Sequence, residues 1–207
     1  MKRILFLALM LAGCGGSDSQ LPFFDSVTNA PVWSVDQVAV RQVGDFAFTD
    51  QTGAMVDRET MKGQPFVAHF FFVECTDICP TLRSRLTAVT AAFSFSQVAI
   101  LSHSVAGEQD TVEKLAAYAQ VNNINPTQWR LLTGDPQEVL HLAQDVYGAE
   151  MRDYTAGAVQ GSTFMHTETV FLVDGSGFVR GMYNGTLESE INLLIRDIAT
   201  LLTEGNA

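Results

Sequence analysis

Apolar residues along this chain fall into short continuous runs separated by stretches with helical spacing. Residues 66–73 are apolar nearly throughout, which is typical of a central strand buried on both faces. Shorter runs at 46–49, 97–101 and 129–132 predict neighbouring strands. Residues 187–202 place apolar side chains three or four positions apart, which predicts an amphipathic helix.

Three further helices are predicted at residues 80–92, 110–121 and 135–147. Pro80 suits the first turn of a helix, where its missing N–H needs no partner, and Pro136 does the same after Asp135. Asp110 is expected to cap the second helix, with Glu113 three residues later completing a capping box.

Near the end of the chain, residues 169–173 and 178–183 flank the turn sequence Asp174-Gly175-Ser176-Gly177, which predicts a β-hairpin. The order is therefore a βαβ unit, more helix, then the hairpin and a terminal helix. This order predicts an α/β fold, with a central sheet, helices on both faces and a C-terminal hairpin plus helix. We expect residues 44–207 to form this single domain.

The junction between the buried strand and the first helix carries two cysteines, Cys75 and Cys79. Pro80 follows at once, so Cys79 should lie near the helix start, where unpaired N–H groups and the helix dipole favour a thiolate. A cysteine pair in this position is typical of thioredoxin-like architecture. Such a pair supports two chemistries, disulfide exchange and soft-metal binding.

The spacing of the two cysteines keeps both chemistries open. Thioredoxins separate their cysteines by two residues, whereas three residues separate Cys75 from Cys79. Positions i and i+4 lie one helical turn apart, so two thiolates could share a metal ion, or bridge if the backbone relaxes. Thiolates select Cu(I) or Zn(II), and two ligands rarely complete a site, so a third ligand is expected.

Four histidines are candidates for that third ligand. His69 lies within the buried strand and is expected to be a hydrogen-bonded core residue. His103 follows a predicted strand and could reach the edge of the sheet that carries the thiols. His141 falls inside a predicted helix, so we expect it to be solvated or packed. His166 stands just before the hairpin, where an imidazole could reach over the sheet edge, and is the favoured candidate.

The first residues read as an export signal. Lys2 and Arg3 precede an apolar stretch, and Ala12-Gly13-Cys14 resembles the end of a bacterial lipobox. We therefore expect residues 1–13 to be a lipoprotein signal peptide and Cys14 to carry lipid. An ordinary signal peptide, cut nearby, is the alternative.

Residues 14–43 would then be a lipid-anchored tether and N-terminal extension. Its small polar residues 15–20 fit a tether, and the apolar islands 21–24 and 31–33 should dock on the domain. Export to an extracytoplasmic face would place Cys75 and Cys79 in an oxidising compartment.

Composition limits the partners of the domain. The formal net charge is −11, which disfavours binding to nucleic acid or to anionic lipid surfaces. The apolar fraction of 47% is enough for a substantial core, so a single disulfide is not needed to hold it together. A working cysteine pair is therefore favoured over a structural one.

The motifs around the cysteines resemble one known family. Residues 75–80 resemble the Cys-x-x-x-Cys-Pro signature of the Sco/SenC family, including Asp77. Residues 44–46 with 49–53 resemble the entry strand of that family, and residues 62–65 resemble the lead into its first core strand. His166, followed by residues 171–174 and Gly177, resembles its metal-binding histidine and hairpin. The resemblance covers residues 46–202.

This resemblance implies a thioredoxin-like protein that binds one copper through Cys75, Cys79 and His166. It also implies a role in assembling the binuclear copper site of cytochrome c oxidase, as copper donor, thiol reductant or both, with the copper-bearing subunit or another copper or thiol protein as partner. Two positions depart from the family. Met165 stands where an acidic residue commonly precedes the histidine, and the loop 102–108 lacks the usual Asp-Pro.

Three alternatives to a copper-binding assembly factor remain. The first is an exported thiol–disulfide oxidoreductase that uses Cys75 and Cys79 without metal. The second is a peroxidase, since Thr76 and Cys79 match the Thr-x-x-Cys of peroxiredoxins, although Phe72 stands where their active-site proline belongs. The third is an inert disulfide with a structural role only.

Overall fold

The computed structural model describes residues 20–36, 38–149, 152–154 and 164–204, with the backbone alone at 152–154 and 164–166. Its strands are β1 (Phe23–Phe24), β2 (Pro31–Val32), β3 (Ala47–Asp50), β4 (Met55–Asp57), β5 (Phe66–Phe71), β6 (Ala99–Ser104), β7 (Trp129–Thr133), β8 (Arg152–Tyr154), β9 (Phe164–His166), β10 (Thr169–Val173) and β11 (Val179–Asn184). Its α-helices are α1 (Ile78–Ala92), α2 (Val112–Val121), α3 (Pro136–His141) and α4 (Glu188–Glu204). None of the helices in these ranges is long and apolar enough to cross a membrane.

A mixed sheet of seven strands, in the order β11-β10-β5-β6-β7-β3-β4, forms the centre of the domain. Strands β5, β6 and β7 are parallel, and β10 joins β5 in antiparallel orientation. All six residues of β5 are buried, as its continuous apolar sequence predicts. The carboxyl ends of the parallel strands share one edge of the sheet, and this edge carries the cysteine motif.

Helices cover both faces of the sheet, which confirms the predicted thioredoxin-like α/β class. On one face, α1, α2 and α4 pack their apolar stripes against β5, β6 and β10. On the other face, α3 packs with the residues that lead into β3. The unequal cover follows from the connections, because the crossovers through α1 and α2 return over the same face.

Several element bounds differ from the sequence prediction. Helix α2 is capped by Thr111, whose hydroxyl accepts the N–H of Lys114, so the prediction that Asp110 caps it was wrong. The third predicted helix is α-helical only to His141 and continues as one π-helical turn, Leu142–Val146. Strand β6 extends to Ser104, three residues beyond the predicted end.

The extension before the domain forms a small hairpin of β1 and β2, paired from Phe23 with Val32. Leu21 is buried, as predicted for the first apolar island, but Trp33 of the second island is 68% exposed. The predicted signal peptide and Cys14 lie outside the described residues. Strands β4, β8 and β9 were not predicted, because they are only three residues long.

Candidate metal and thiol site

The two cysteines lie where strand β5 gives way to helix α1. Cys75 precedes the helix, and its N–H donates to the carbonyl of Phe72 at 3.2 Å. Cys79 is the second residue of α1. The two form a disulfide with their Cα atoms 5.8 Å apart, within the usual range for a bridge. Both cysteines are buried in the disulfide form.

The start of α1 provides a positive environment for the sulfur atoms. Asp77 is the N-cap residue, but its side chain makes no capping hydrogen bond, and the first turn holds no acidic residue. The free N–H groups and the positive end of the helix dipole are therefore left without an acidic neighbour in that turn. This environment favours the anionic form of a reduced cysteine, which is the form that attacks disulfides and binds soft metals.

A buried carboxylate holds the strand end that leads into the cysteine motif. One oxygen of Asp110 accepts the backbone N–H of Val73 at 2.9 Å and the hydroxyl of Ser104 at 2.6 Å. Asp110 is 1% exposed, so these bonds lie away from bulk water. The hydroxyl of Ser104 in turn accepts the N–H of Ala106 at 3.2 Å. The ends of β5 and β6 and the start of α2 are thus fixed to one another beside the disulfide.

Lys114, in the first turn of α2, adds two ion pairs to these hydrogen bonds. Its Nζ lies 3.3 Å from the second oxygen of Asp110 and 2.9 Å from Glu74, the residue immediately before Cys75. The hydrogen bond to Glu74 raises the pKa of Lys114, with partial burial opposing and Asp110 adding to the rise. Sequence reasoning missed this network because Asp110 precedes a helix and resembles a cap.

The backbone of His166 lies toward the same edge of the sheet as the cysteines. His166 ends β9, and β10 begins three residues later at Thr169. Strand β10 runs antiparallel to β5, with Val173 opposite Phe66, so its first residues point to the carboxyl end of β5. Cys75 follows that end. The described structure gives the backbone of His166 and not its side chain.

The short connection before β10 is itself fixed. Thr167 is buried, and its hydroxyl accepts the N–H of Thr169 at 3.1 Å and donates to the hydroxyl of the same residue at 3.0 Å. The backbone of His166 therefore leads directly into a hydrogen-bonded turn.

His69 is a core residue, as predicted from its place in the buried strand. Its Nε2 and the hydroxyl of Ser102 are hydrogen-bonded at 2.6 Å, and Trp129 donates to the same hydroxyl at 2.7 Å. Burial lowers the pKa of His69 to about 4, so the ring is neutral at physiological pH. His141 is exposed and paired with Asp145 at 2.7 Å, in agreement with its predicted place on a helix.

His103 does not line the thiol edge, and that expectation was wrong. It lies inside β6, fully buried, with ring centroids 5.4 Å from both Phe48 and Phe70. Neither ring nitrogen has a hydrogen-bond partner among the described residues, and burial lowers the pKa of His103 to about 3. The strand is longer than its apolar run suggested, so the residue that should have followed it is part of the core.

Among the side chains that the structure describes, no three His, Cys, Asp or Glu residues gather as a metal-binding group. Cys75 and Cys79 are the soft ligands of this set, and the side chain of His166 lies outside it. The described part of the site therefore defines a thioredoxin-like domain with a disulfide-bonded cysteine pair at a helix start.

Comparison with known proteins gives the family. The model of the SCO1/SenC family matches residues 35–203, which is most of the chain. The chain therefore belongs to the SCO1/SenC family, as the cysteine and histidine motifs indicate.

Three solved structures of the family resemble this fold over most of their length. A SCO1/SenC family lipoprotein from Bacillus anthracis is 25% identical, with a TM-score of 0.68 over 81% of this chain and 99% of that one. ScoI from Bradyrhizobium japonicum, solved with copper bound, is 25% identical, with a TM-score of 0.63 over 77% and 99%. BsSco, a member of the Sco family of cytochrome c oxidase assembly proteins in which a disulfide switch was identified, is 27% identical, with a TM-score of 0.66 over 79% and 94%.

Proposed function

We propose that this protein is an exported, membrane-anchored copper-binding protein that serves assembly of the binuclear copper site of cytochrome c oxidase. Cys75, Cys79 and His166 would hold one copper ion, and the copper-bearing subunit of the oxidase would receive it or be reduced by the thiol pair. The observation that carries the proposal is the placement of both cysteines at the start of α1, with the backbone of His166 toward the same sheet edge.

The donor set fits a soft, monovalent metal. Two thiolates and one imidazole suit Cu(I), whereas Mg²⁺ or Ca²⁺ would require oxygen ligands. Binding needs both cysteines reduced and deprotonated, so capture of copper releases thiol protons. Support also comes from the B. japonicum relative, whose structure contains copper.

The disulfide between Cys75 and Cys79 favours a second role as thiol reductant. Reduction of this bridge takes two electrons and two protons, and the resulting dithiol can pass the same electrons to a disulfide on a partner. Metal capture and thiol exchange use the same two sulfur atoms, so one excludes the other at a given moment. A thiol–disulfide oxidoreductase without obligatory metal is therefore the second candidate function.

Anchoring through a lipid on Cys14 supports the proposed location on an extracytoplasmic membrane face. The lipobox-like sequence before Cys14 motivates it, and the B. anthracis relative is a lipoprotein. Export would supply the oxidising compartment in which a disulfide switch operates.

Copper stoichiometry of the reduced protein tests the proposed function. The protein would be reduced anaerobically, loaded with Cu(I) and freed of loose metal by a competing chelator. We expect one copper per chain, and loss of tight binding in both Cys75→Ser and Cys79→Ser. Thr76→Ser, in the same loop, is the matched control and should bind as the unaltered protein does. Full copper affinity in either cysteine variant contradicts the assignment.

A redox titration separates the two candidate functions. The midpoint of the cysteine pair would be measured with and without Cu(I). For a copper-binding protein, the midpoint potential of the cysteine pair should rise when Cu(I) is present. The metal binds the dithiol and not the disulfide, so it stabilises the reduced form. An unchanged midpoint favours the oxidoreductase without metal.

A further inference from the structure

Exposed apolar side chains concentrate in the turn of the N-terminal hairpin and in the segment that follows its second strand. Of the seven large apolar residues exposed in the described structure, four fall between residues 27 and 38, namely Val27, Trp33, Val35 and Val38. The other three, Met55, Val121 and Leu187, are scattered along the chain, which is normal for a soluble surface. We call Val27, Trp33, Val35 and Val38 the apolar tip.

Arg41 joins the turn of the hairpin, which carries Val27, to the domain. This buried guanidinium donates to the carbonyls of Ser26 and Val146, each at 2.6 Å, and to the side chain of Asn29 at 2.9 Å. It thereby ties the turn of the hairpin to the end of the π-helical turn. The turn that carries Val27 is therefore held against the sheet domain, and the N–H of Ser26 donates to the carbonyl of Ala39, next to Val38, at 2.8 Å.

A second buried arginine fixes the point where the chain enters the domain. Arg180 of β11 donates to the carbonyls of Leu21 at 2.7 Å and Pro22 at 3.1 Å, and stacks over the ring of Phe23 at 4.3 Å. It also pairs with Glu204 at the end of α4 at 2.8 Å. Any segment that precedes Leu21 is therefore attached to a point of the chain that Arg180 holds against the domain.

The hairpin and the cysteines lie at opposite edges of the sheet. Phe23 packs edge-on against Phe178, next to the first residue of β11. That residue, Val179, pairs with Val173, which pairs in turn with Phe66 at the amino end of β5. The cysteines follow the carboxyl end of β5, six residues or about 20 Å away along the strand.

The short tether keeps the hairpin near the membrane surface. Six residues lie between Cys14 and Leu21, and the seven Cα-to-Cα steps of a fully extended chain span about 25 Å. We propose that the apolar tip docks on the lipid bilayer and turns the cysteine edge away from it. This inference rests on the lipid anchor at Cys14 within the proposed function.

The chemistry of the tip suits a bilayer more than a charged surface. Residues 26–40 contain a single charged residue, Asp36, although the whole chain has a net charge of −11. Trp side chains prefer the interface between lipid headgroups and acyl chains, and valines can bury into its apolar side. The contact is apolar, so it should persist at high salt, where electrostatic adsorption is screened.

Tryptophan fluorescence tests this contact, because the chain has two tryptophans in opposite environments. Trp33 is 68% exposed and Trp129 is 3% exposed. The lipidated full chain would be reconstituted into phosphatidylcholine vesicles with and without bromine on the acyl chains. We expect the brominated lipid to quench most of the Trp33 emission at low and high salt alike. Trp33→Phe should leave only Trp129, whose emission should be the same in both lipids.

Charge substitutions then test the tip itself. Val27→Asp with Val38→Asp should remove most of the quenching of Trp33, because both carboxylates would have to enter the interface. Leu187→Asp is the matched control. It is half exposed and its N–H bonds to Asn184, which pairs with the first residue of β10 at the cysteine edge. The quenching of Trp33 in Leu187→Asp should equal the quenching in the unaltered chain.

The outcomes distinguish this inference from the proposals it rests on. A chain that fails to co-float with vesicles overturns both the lipid anchor and the docking. A chain that co-floats while Trp33 is not quenched overturns the docking alone and leaves the anchor standing. Quenching that survives the two Val→Asp changes also overturns it. Copper binding by the cysteine pair is measured separately and is unaffected by any of these results.

Discussion

The carboxylate of Asp110 accepts a hydrogen bond from the backbone N–H of Val73 at 2.9 Å, two residues before Cys75. The bond joins the start of α2 to the strand end that leads into the cysteine motif. Asp110 also contacts Ser104 and Lys114, so a single buried side chain holds three segments around the site. The position of Cys75 therefore depends on a residue 35 positions later in the chain.

Removing this carboxylate should destabilise the fold and loosen the cysteine loop. Asp110→Ala leaves the N–H of Val73 and the hydroxyl of Ser104 without their acceptor in a buried region. We expect the free energy of unfolding to fall by about 2–4 kcal/mol. Urea unfolding of the disulfide form measures it.

Glu74→Gln is the control for that experiment. Glu74 also bonds to Lys114, but its side chain is 63% exposed. The free energy of unfolding of Glu74→Gln should therefore stay within about 0.5 kcal/mol of that of the unaltered protein. An Asp110→Ala variant as stable as the unaltered protein would show that the buried bonds do not hold the loop.

The two buried histidines should make the fold sensitive to mild acid. The pKa of His69 is lowered to about 4 and that of His103 to about 3, both by burial, from an ordinary value of 6.5. In the folded protein both rings stay neutral, while the unfolded chain takes up protons below pH 6.5. Their stabilisation is complete above that pH and declines as the pH falls toward the folded values. Within this window, each ring should lower the free energy of unfolding by about 1.4 kcal/mol for every unit by which the pH falls.

Replacing His103 should reduce this dependence. His103→Phe removes one titrating group, together with two ring nitrogens that find no partner in the described part of the chain, from an aromatic pocket. We expect the loss of stability between pH 6 and pH 5 to fall from about 2 to about 1 kcal/mol. Met55→Leu, at an exposed position without a titratable group, should keep the original slope. Equal slopes for His103→Phe and the unaltered protein would mean that His103 is not buried neutral in the fold.

Lipid attachment at Cys14 can be tested by metabolic labelling in a bacterial host. Radiolabelled palmitate should enter the unaltered chain because its cysteine follows the lipobox-like sequence, and should not enter Cys14→Ser. Cys75→Ser is the control, since it removes a thiol without touching the signal, and it should be labelled normally. Equal labelling of the unaltered chain and Cys14→Ser argues against the lipid anchor.

The central strand and the cysteine junction were predictable because their signals are local. Strand β5 is continuously apolar, and Pro80 marks a helix start directly after the cysteines. The role of Asp110 was not predictable in the same way. An acidic residue before Thr111 fits a cap, and only the fold shows that its partner is Val73, in a distant strand.

His103 and the hairpin illustrate the same limit. A polar residue at the end of an apolar run usually lies outside the strand, but the aromatic side chains of Phe48 and Phe70 enclose His103. The buried arginines that hold the hairpin are likewise invisible in the sequence. Arg41 and Arg180 donate to backbone carbonyls. Every residue has a backbone carbonyl, so no sequence pattern predicts these bonds.

The central claim is that one copper ion is held by Cys75, Cys79 and His166, and the copper affinity of His166→Ala tests it most directly. A pair of cysteines that only exchanges disulfides needs no distant imidazole, whereas a three-ligand site does. Cu(I) affinity and the metal-free reduction potential of the cysteine pair would be measured on one preparation, with His141→Ala as the exposed-histidine control.

We expect His166→Ala to lose more than the 10–100-fold in affinity that is typical of a residue that only supports a ligand. The reduction potential should change little, and His141→Ala should match the unaltered protein in both quantities. Unchanged copper affinity in His166→Ala would contradict the three-ligand site.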